Sequence, residues 1–258
     1  MQRIFHPIGQ GAFYTERHQG FNIVYDCGTF GGAKLADKVI MQSFSSNEDI
    51  DILFISHFDA DHVNKIAVLK KHCKSIKNVV LPLLEDNLKI FLVAFFKALG
   101  DKDSADLLEN PNEYFGEGTK VFFVRPASES KEGGEKVDIS NRSAGGEIDS
   151  NVQICYGNDD WIFVPYNHDY KERNEQLLEL FGDANGDANG DAKLDIEKFK
   201  TDVKYSIKHR AAIRKIYDSV EGHINQNSMM VYSGPVNEHY HYICNYFCCR
   251  CGRCCKCD

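Results

Sequence analysis

Four side chains of the kinds that bind metal ions occur within six residues, at His57, Asp59, Asp61 and His62. They directly follow residues 50–55, a mostly apolar run that predicts a buried strand. Because alternate side chains of an extended segment point to the same side, His57, Asp59 and Asp61 can converge, and a turn can bring His62 to them. Burying these groups together without a counter-charge would be costly. The sequence therefore predicts a divalent metal site at residues 57–62.

A purely structural explanation of the same cluster stays open from the sequence alone. Lysines follow the cluster at Lys65 and Lys70, and either could neutralise the carboxylates in a polar loop. The two explanations differ in their chemistry, because an ion-paired loop has no activity whereas a metal site can activate water.

The cluster resembles the signature of the metallo-β-lactamase superfamily, His-x-His-x-Asp-His, with Asp59 in place of the second histidine. The resulting pattern, His-x-Asp-x-Asp-His, is similar to that of the metallo-β-lactamase-type domain of late-competence DNA-uptake proteins and their relatives. Weaker similarities follow one another along roughly residues 4–232, at 9–12, 24–28, 161–165 and 227–231. The motif at residues 57–62 carries the resemblance, and the other segments support it by their order.

The resemblance implies an α/β fold, the four-layered αββα sandwich, with helical insertions. It implies that His57 and Asp59 bind one metal ion, and that Asp61 and His62 bind a second ion and take part in catalysis. Asp26 would then lie behind the ligands. A carboxylate is a harder ligand than imidazole, so one or two ions of Zn²⁺ or Mn²⁺ are expected, with a shift away from zinc. The implied reaction is hydrolysis of a phosphodiester by a metal-bound hydroxide.

Two ligand motifs of the superfamily's C-terminal half are missing here, a Thr-Gly-Asp-like turn and a His-His-Gly-Ser-like turn. His168 is the best substitute for a third ligand, and the alternative is a histidine of a surface loop. We therefore expect a sandwich that is either complete or incomplete at its C-terminal end. Two functions follow: a metal-dependent hydrolase acting on nucleic acid or nucleotides, and a non-catalytic metal-binding regulatory or interaction module with a decayed or truncated site.

The elements that would position the cluster follow from apolar spacing and turn residues. Strands are predicted at residues 4–8, 12–16, 21–26, 50–55, 79–83, 121–124, 152–155, 161–164, 228–232 and 240–246. Helices are predicted at residues 33–42, 63–74, 84–118, 171–181 and 195–220. One domain is expected over residues 1–247, with insertions at 84–118, 127–150 and 182–222 and a Cys-rich tail at 248–258. Polar residues dominate residues 127–150, which predicts a solvated linker or surface insertion.

Two further segments have metal-binding character. Residues 187–197 resemble the first part of a calcium loop, but Ala192 replaces the usual glycine and Lys198 the bidentate acid, so a solvated acidic repeat is the alternative. Seven of the ten cysteines lie in residues 244–257 as overlapping Cys-x-x-Cys pairs. Such pairs suit zinc, and an oxidation-prone tail without a unique ligand set is the alternative.

The net charge of −8, from 30 basic and 38 acidic residues, disfavours a large non-specific surface for polyanions. A nucleic acid or nucleotide substrate would have to be held locally; the basic residues of 204–215 suit phosphates, or else form a solvated helix face. No apolar run approaches the ~20 residues that span a bilayer, and residues 1–7 contain no secretory signal. No membrane partner and a cytoplasmic location are therefore expected.

Overall fold

The computed structural model describes residues 1–131, 135–157, 160–168, 202–212 and 228–236, together with residues 175, 176, 179, 198 and 215. The described strands are β1 (Gln2–Phe5), β2 (Tyr14–Arg17), β3 (Asn22–Tyr25), β4 (Asp49–Ile50), β5 (Ile52–Phe54), β6 (Ser75–Ile76), β7 (Asn78–Pro82), β8 (Lys120–Val124), β9 (Lys136–Asp138), β10 (Gly146–Ile148), β11 (Gln153–Cys155), β12 (Trp161–Tyr166) and β13 (Met230–Pro235). The described helices are α1 (Ala33–Ser43), α2 (Ala60–Val63), α3 (Ile66–His72), α4 (Asp86–Leu99), α5 (Lys102–Glu109), α6 (Pro111–Phe115) and α7 (Val203–Lys208).

Two sheets form the centre of the protein. The first sheet has seven strands in the order β1-β2-β3-β5-β7-β8-β10, and the second has four in the order β13-β12-β11-β9. In the first sheet β3, β5, β7 and β8 run parallel, so their carboxyl ends lie along one edge. A ligand site is commonly found outside this edge of a parallel sheet. The metal-type residues follow β5 at this edge.

Alternation along the parallel strands explains why they are apolar on both sides. Leu53 and Val79 face a cluster shared with the helices, whereas Ile52, Phe54 and Val80 face a second cluster shared with the other sheet. A strand buried on both faces reads as a continuous apolar run, and the run at residues 52–55 is of this kind. The two layers of sheet and the helical layer on the first sheet confirm the predicted α/β sandwich.

The predicted helical region at residues 84–118 is confirmed as α4, α5 and α6. Gly100 ends α4 in the left-handed conformation, and Asp101 then caps α5 by accepting from Ser104 N. The apolar face of α4 is buried in the helical layer, whereas Leu99 at the end of the helix is 46% exposed. No described helix is both long and apolar enough to cross a membrane.

Two predictions need correction. Residues 127–150 are more than a solvated linker, because β9 pairs with β11 in one sheet and β10 pairs with β8 in the other. Buried Val137 and Ile148 anchor these short strands, which are too brief to stand out in a polar segment. The helix predicted at residues 63–74 is interrupted between α2 and α3.

Several predictions fall where they cannot be compared. In the predicted helix at 195–220, α7 is described and packs beside α4. The predicted strand at 240–246, the calcium-like repeat at 187–197 and the cysteines of residues 244–257 lie outside the described residues, as does nearly all of the predicted helix at 171–181.

A buried carboxylate joins the two sheets at one end of the sandwich. Glu16 on β2 is 1% exposed, and its Oε1 accepts from Tyr14 at 2.9 Å and lies 3.2 Å from Arg3 Nε. Its Oε2 accepts from Ser233 of β13 at 2.7 Å and lies 3.0 Å from His18 Nε2. Burial raises the pKa of Glu16, but the hydrogen bonds that it accepts and the charge of Arg3 outweigh burial and leave the pKa below its usual 4.5.

Replacing Glu16 with Gln is expected to destabilise the protein by about 1–3 kcal/mol, because the amide cannot accept all of these hydrogen bonds. The folded state holds Glu16 with a lowered pKa, so the stabilisation is complete above pH 4.5 and is lost as pH falls through the folded value. Urea unfolding at pH 7 and at pH 3–4 measures both effects, and the gap between wild type and Glu16→Gln should narrow in acid.

The exposed Glu117 supplies the control, since Glu117→Gln is expected to change stability by less than about 0.5 kcal/mol. Equal effects of the two substitutions would contradict the assignment of Glu16 as the link between the sheets.

Candidate metal centre

The motif begins where β5 leaves the first sheet. Ile55 N donates to Val80 O at 2.9 Å, and residues 55–59 then have no regular secondary structure. Asp59 precedes α2, and its side chain makes no capping hydrogen bond to that helix. Asp61 and His62 lie within α2. The strand end and the one-turn helix therefore bring residues 57–62 together at the carboxyl edge of the sheet.

The carboxylate of Asp26 organises the imidazoles. Its Oδ1 accepts from Ser56 N at 2.7 Å, and its Oδ2 accepts from Ser56 Oγ at 2.7 Å. His62 Nδ1 lies 2.8 Å from the same Oδ2 and must donate to it, because an ionised carboxylate only accepts. His62 therefore carries a proton on Nδ1, and in the neutral ring its Nε2 keeps a free lone pair. This is the arrangement of a histidine prepared to bind a metal ion.

The same accounting assigns the tautomer of His57. The single hydroxyl proton of Ser56 is used on Asp26, so Ser56 Oγ can only accept from His57 Nδ1, which lies 2.9 Å away. His57 Nε2 then has a free lone pair as well. Within the described residues this nitrogen is buried and has no hydrogen-bond partner. Buried nitrogens are normally satisfied, so a nitrogen without a hydrogen bond in a polar cluster has the character of a metal ligand.

The candidate ligand atoms lie at separations close to those that one metal ion requires. His57 Nε2 lies 3.5 Å from Asp59 Oδ2, and His62 Nε2 lies 3.8 Å from Asp61 Oδ2. Two ligands of one tetrahedral zinc ion, each at about 2.0–2.1 Å, lie roughly 3.3–3.4 Å apart. The first pair nearly matches this separation and the second is slightly wide. The two imidazole rings are 3.8 Å apart between centroids, so the pairs adjoin.

The electrostatics of the cluster also fit a cation. Burial lowers the pKa of His62, but the hydrogen bond to Asp26 and the charges of Asp61 and Asp59 outweigh burial and leave the pKa above 6.5. The lysines that could have neutralised the cluster bind elsewhere: Lys65 pairs with Asp37 at 2.7 Å, and Lys70 donates to Tyr114 O. These contacts weigh against the ion-paired loop.

The geometry does not provide a finished coordination shell. No group of three or more His, Cys, Asp or Glu side chains among the described residues is arranged closely enough to hold a metal ion. The motif provides donors in pairs, so additional ligands or a small rearrangement are needed to complete a site. Cys27, although next to Asp26, is fully buried, and burial raises the pKa of its thiol well above the usual value.

His168 stands at the same edge of the sheet as the motif. The preceding residue, Asn167, is buried and donates through Nδ2 to Leu83 O and Val124 O, just past or at the ends of β7 and β8. His168 itself is exposed, and its ring lies tilted against that of Tyr166, with ring centroids 6.3 Å apart. Its role as a ligand stays a prediction.

Two serines that the sequence did not single out contact His57. Ser56 is adjacent in the chain and Ser228 is distant, with Oγ 3.1 Å from His57 Nδ1. Serine next to a metal-type histidine is a signal that could have suggested Ser56. Residues 227–231 supported the resemblance, but nothing in that segment pointed to a contact between Ser228 and His57.

Close packing of three backbone segments holds the motif in place. Ala12 N donates to Asp61 O at 3.1 Å, and Cys27 N donates to His62 O at 2.7 Å. A Cβ atom on Gly28 would lie 2.5 Å from both Asp61 C and His62 N, so only glycine fits. Gly11 has φ +140° and packs against the same backbone. The close approach of the Asp61 and His62 backbone therefore explains why glycine occurs at Gly11, between β1 and β2, and at Gly28, after β3.

The fold and the site together define an α/β sandwich with a histidine–aspartate cluster at the edge of its parallel strands. Residues 9–84 match the sequence model of the Metallo-beta-lactamase superfamily, a segment that includes Asp26 and all of residues 57–62. This match agrees with the predicted superfamily and leaves its late-competence subtype untested. No curated protein matches the chain.

Among solved structures, the crystal structure of human tRNase Z, short form (ELAC1), is similar with 12% identity and a TM-score of 0.34. The similar region covers 62% of this chain and 53% of that chain, so the chain spans about half the length of this structure. Similarity at this level carries no argument about the function of the chain.

Replacing Gly28 with Ala is expected to destabilise the protein by at least about 2 kcal/mol, because the added methyl group meets backbone rather than a movable side chain. Thermal unfolding measures the effect. Gly32→Ala is the matched control in the same loop, since nothing lies within 4 Å of its Cβ position. A Gly28→Ala variant as stable as Gly32→Ala would show that the motif does not pack against this loop as described.

Proposed function

We propose that the chain is a metal-dependent hydrolase whose metal centre is the cluster at residues 57–62. The observation that carries this proposal is the buried Nε2 of His57, which has no hydrogen-bond partner among the described residues and lies 3.5 Å from Asp59 Oδ2. A buried nitrogen lone pair without a hydrogen bond and a nearby carboxylate charge both favour a cation. A divalent cation meets both needs at once.

The proposed ligand pairs follow the recorded distances. His57 with Asp59 would hold one ion, and Asp61 with His62 would hold a second, with His168 as a candidate further ligand. Asp26 orients His62 directly and His57 through Ser56. The mixture of carboxylate and imidazole suits Zn²⁺ or Mn²⁺. We also propose that residues 1–247 form one domain and that residues 248–258 are a separate Cys-rich tail.

The chemistry that a divalent ion supplies at such a site is Lewis-acid activation of water and of a phosphoryl oxygen. The superfamily match supports hydrolysis. Phosphodiesters, in nucleic acid or nucleotides, are proposed from the resemblance of the His-x-Asp-x-Asp-His pattern to that of the late-competence type. Asp61 and His62 are the proposed catalytic residues, as ligands of the second ion. The Cys27 thiol is too deeply buried to act as a nucleophile.

One observation favours a second candidate function. The described residues bring donors together only in pairs, without a group of three. A two-metal hydrolase needs ligands on both sides of its water, so a site with fewer ligands favours a metal-binding regulatory or interaction module. Both candidate functions require metal binding, and only the hydrolase would convert a phosphodiester substrate to product.

Replacing His57 and Asp61 with Ala together is expected to remove bound Mn²⁺, because each candidate pair loses one donor. Electron paramagnetic resonance of free Mn²⁺ during a titration gives the stoichiometry, and the choice of manganese reduces competition from the thiolates of the tail. The wild type should bind at least one ion. EDTA should also lower its melting temperature, since Asp59 and Asp61 then repel each other.

The control is His72→Ala, a histidine of α3 whose Nε2 contacts Phe44 O at 2.8 Å, outside the cluster. This variant should keep the wild-type stoichiometry. If the double variant binds as much Mn²⁺ as the wild type, residues 57–62 are not the metal centre.

Slow hydrolysis of a chromogenic phosphodiester and of single-stranded DNA is expected in millimolar Mn²⁺. The rate should be low because an incomplete ligand set positions water poorly, and a misplacement of ~1 Å costs ~100-fold. Asp61→Asn, which keeps the side-chain shape, should lower the rate by about 100-fold or more. His168→Ala should lower it further than His72→Ala if His168 is a ligand.

Metal binding without any turnover by the wild type would reject the hydrolase and leave the binding module. Turnover that survives Asp61→Asn would place the reaction, or a contaminating enzyme, elsewhere.

A further inference from the structure

A segment far along the chain reaches the metal-type cluster. Ser228 immediately precedes Met229 and β13, and its Oγ lies 3.1 Å from His57 Nδ1 across a separation of 171 residues. Met229 N donates to Ser56 O at 2.8 Å, and the Met229 side chain is 2% exposed in the core between the sheets. The hydroxyl is therefore held against His57 by a backbone hydrogen bond and by a buried neighbour.

His57 Nδ1 thus has two hydroxyl oxygens within hydrogen-bond distance. Ser56 Oγ can only accept from it, because the Ser56 proton is donated to Asp26. Ser228 could instead donate its own proton to Nδ1, but the ring proton would then have to be on Nε2. In that case Nδ1 would have no proton to donate to Ser56 Oγ, and the hydrogen bond between Ser56 and His57 would be lost. Both contacts are satisfied together only when Nδ1–H is shared between the two oxygens.

We propose that Ser228 is a positioning residue for His57. Its Oγ accepts from Nδ1–H, favours the tautomer with a free lone pair on Nε2, and with Ser56 limits rotation of the ring. The proposal rests on the proposed function in one respect, that His57 Nε2 is a metal donor. Partners behind a ligating histidine fix its tautomer and orientation in this way.

The contact also links the two halves of the molecule. His57 belongs to the first sheet through β5, whereas Ser228 leads into β13, which pairs with β12 of the second sheet. The position of β13 in the second sheet therefore influences the orientation of His57, whose Nε2 belongs to the cluster on the first sheet. Loss of such a partner typically costs 10–100-fold in metal affinity. Because Ser56 remains, we expect a smaller loss of about 3–10-fold.

The test compares three variants of the full chain in a Mn²⁺ titration of metal-free protein. Ser228→Ala should raise the dissociation constant of the tightest site about 3–10-fold, and Ser228→Thr, which keeps the hydroxyl, should restore it to within about 2-fold. Ser233→Ala is the matched control on β13, because its hydroxyl binds Glu16 and Trp161 instead of His57. It should lower the melting temperature and leave the dissociation constant unchanged.

A second measurement needs no metal. Nitrogen-15 chemical shifts of the histidine rings in metal-free protein report the tautomer directly. The wild type and Ser228→Thr should show His57 protonated on Nδ1. Ser228→Ala should show a minor share of the Nε2-protonated form, because Ser56 alone then accepts from Nδ1–H. A merely structural role for Ser228 would change the melting temperature and leave these shifts as they are.

The outcomes separate this inference from the proposed function. Normal Mn²⁺ binding with an unchanged constant and unchanged His57 shifts in Ser228→Ala would overturn the role of Ser228 and leave the metal centre standing. Absence of Mn²⁺ binding by the wild type would overturn the metal centre and this inference with it.

Discussion

The carboxylate of Asp26 is the interaction on which the cluster depends. Asp26 adopts φ 52°, a left-handed conformation that costs free energy for any residue other than glycine. The conformation persists because Asp26 N donates to Phe54 O while both carboxylate oxygens accept from Ser56 and His62. The end of β3 is thereby tied to the end of β5. Both imidazoles take their orientation from this one group.

Local patterns made much of this arrangement predictable. The spacing of residues 57–62 indicated convergence, and the apolar run before them indicated a buried strand, because both depend on near neighbours in the chain. The glycines near residues 9–11 and at 28 marked turns. Gly11 and Gly28 also contact the backbone of Asp61 and His62. This contact requires three chain segments to pack together, so no single segment predicts it.

Other features were beyond prediction because their causes are distant in sequence. The helix expected at residues 63–74 is interrupted at Asn64, whose side chain accepts from Thr29 N and donates to Thr29 O. The strands within residues 127–150 form because β8 and β11 offer free edges, and polar composition conceals them. Ser228 reaches His57 only once the two sheets are packed.

The distribution of charge distinguishes the cluster from the rest of the protein. Elsewhere buried carboxylates meet cations at short range: Asp51 pairs with Lys77 at 2.7 Å, and Glu16 lies 3.2 Å from Arg3. Asp61 is also buried, yet the ion pair recorded for it is with His62, at 3.8 Å. Among the described residues, Asp61 therefore differs from Asp51 and Glu16 in having a histidine instead of a lysine or arginine as its recorded ionic neighbour.

The distance along the chain between His57 and Ser228 also has a consequence for biosynthesis. At about 5–20 residues per second, a ribosome needs roughly 9–34 seconds to make the intervening 171 residues. During this time the parallel strands can form around Asp26, but the hydroxyl from the second sheet does not yet exist. The histidine reaches its final setting late, after long-range pairing that is intrinsically slow. A metal ion that binds His57 with both serines in place would therefore bind only after residue 228 has been made.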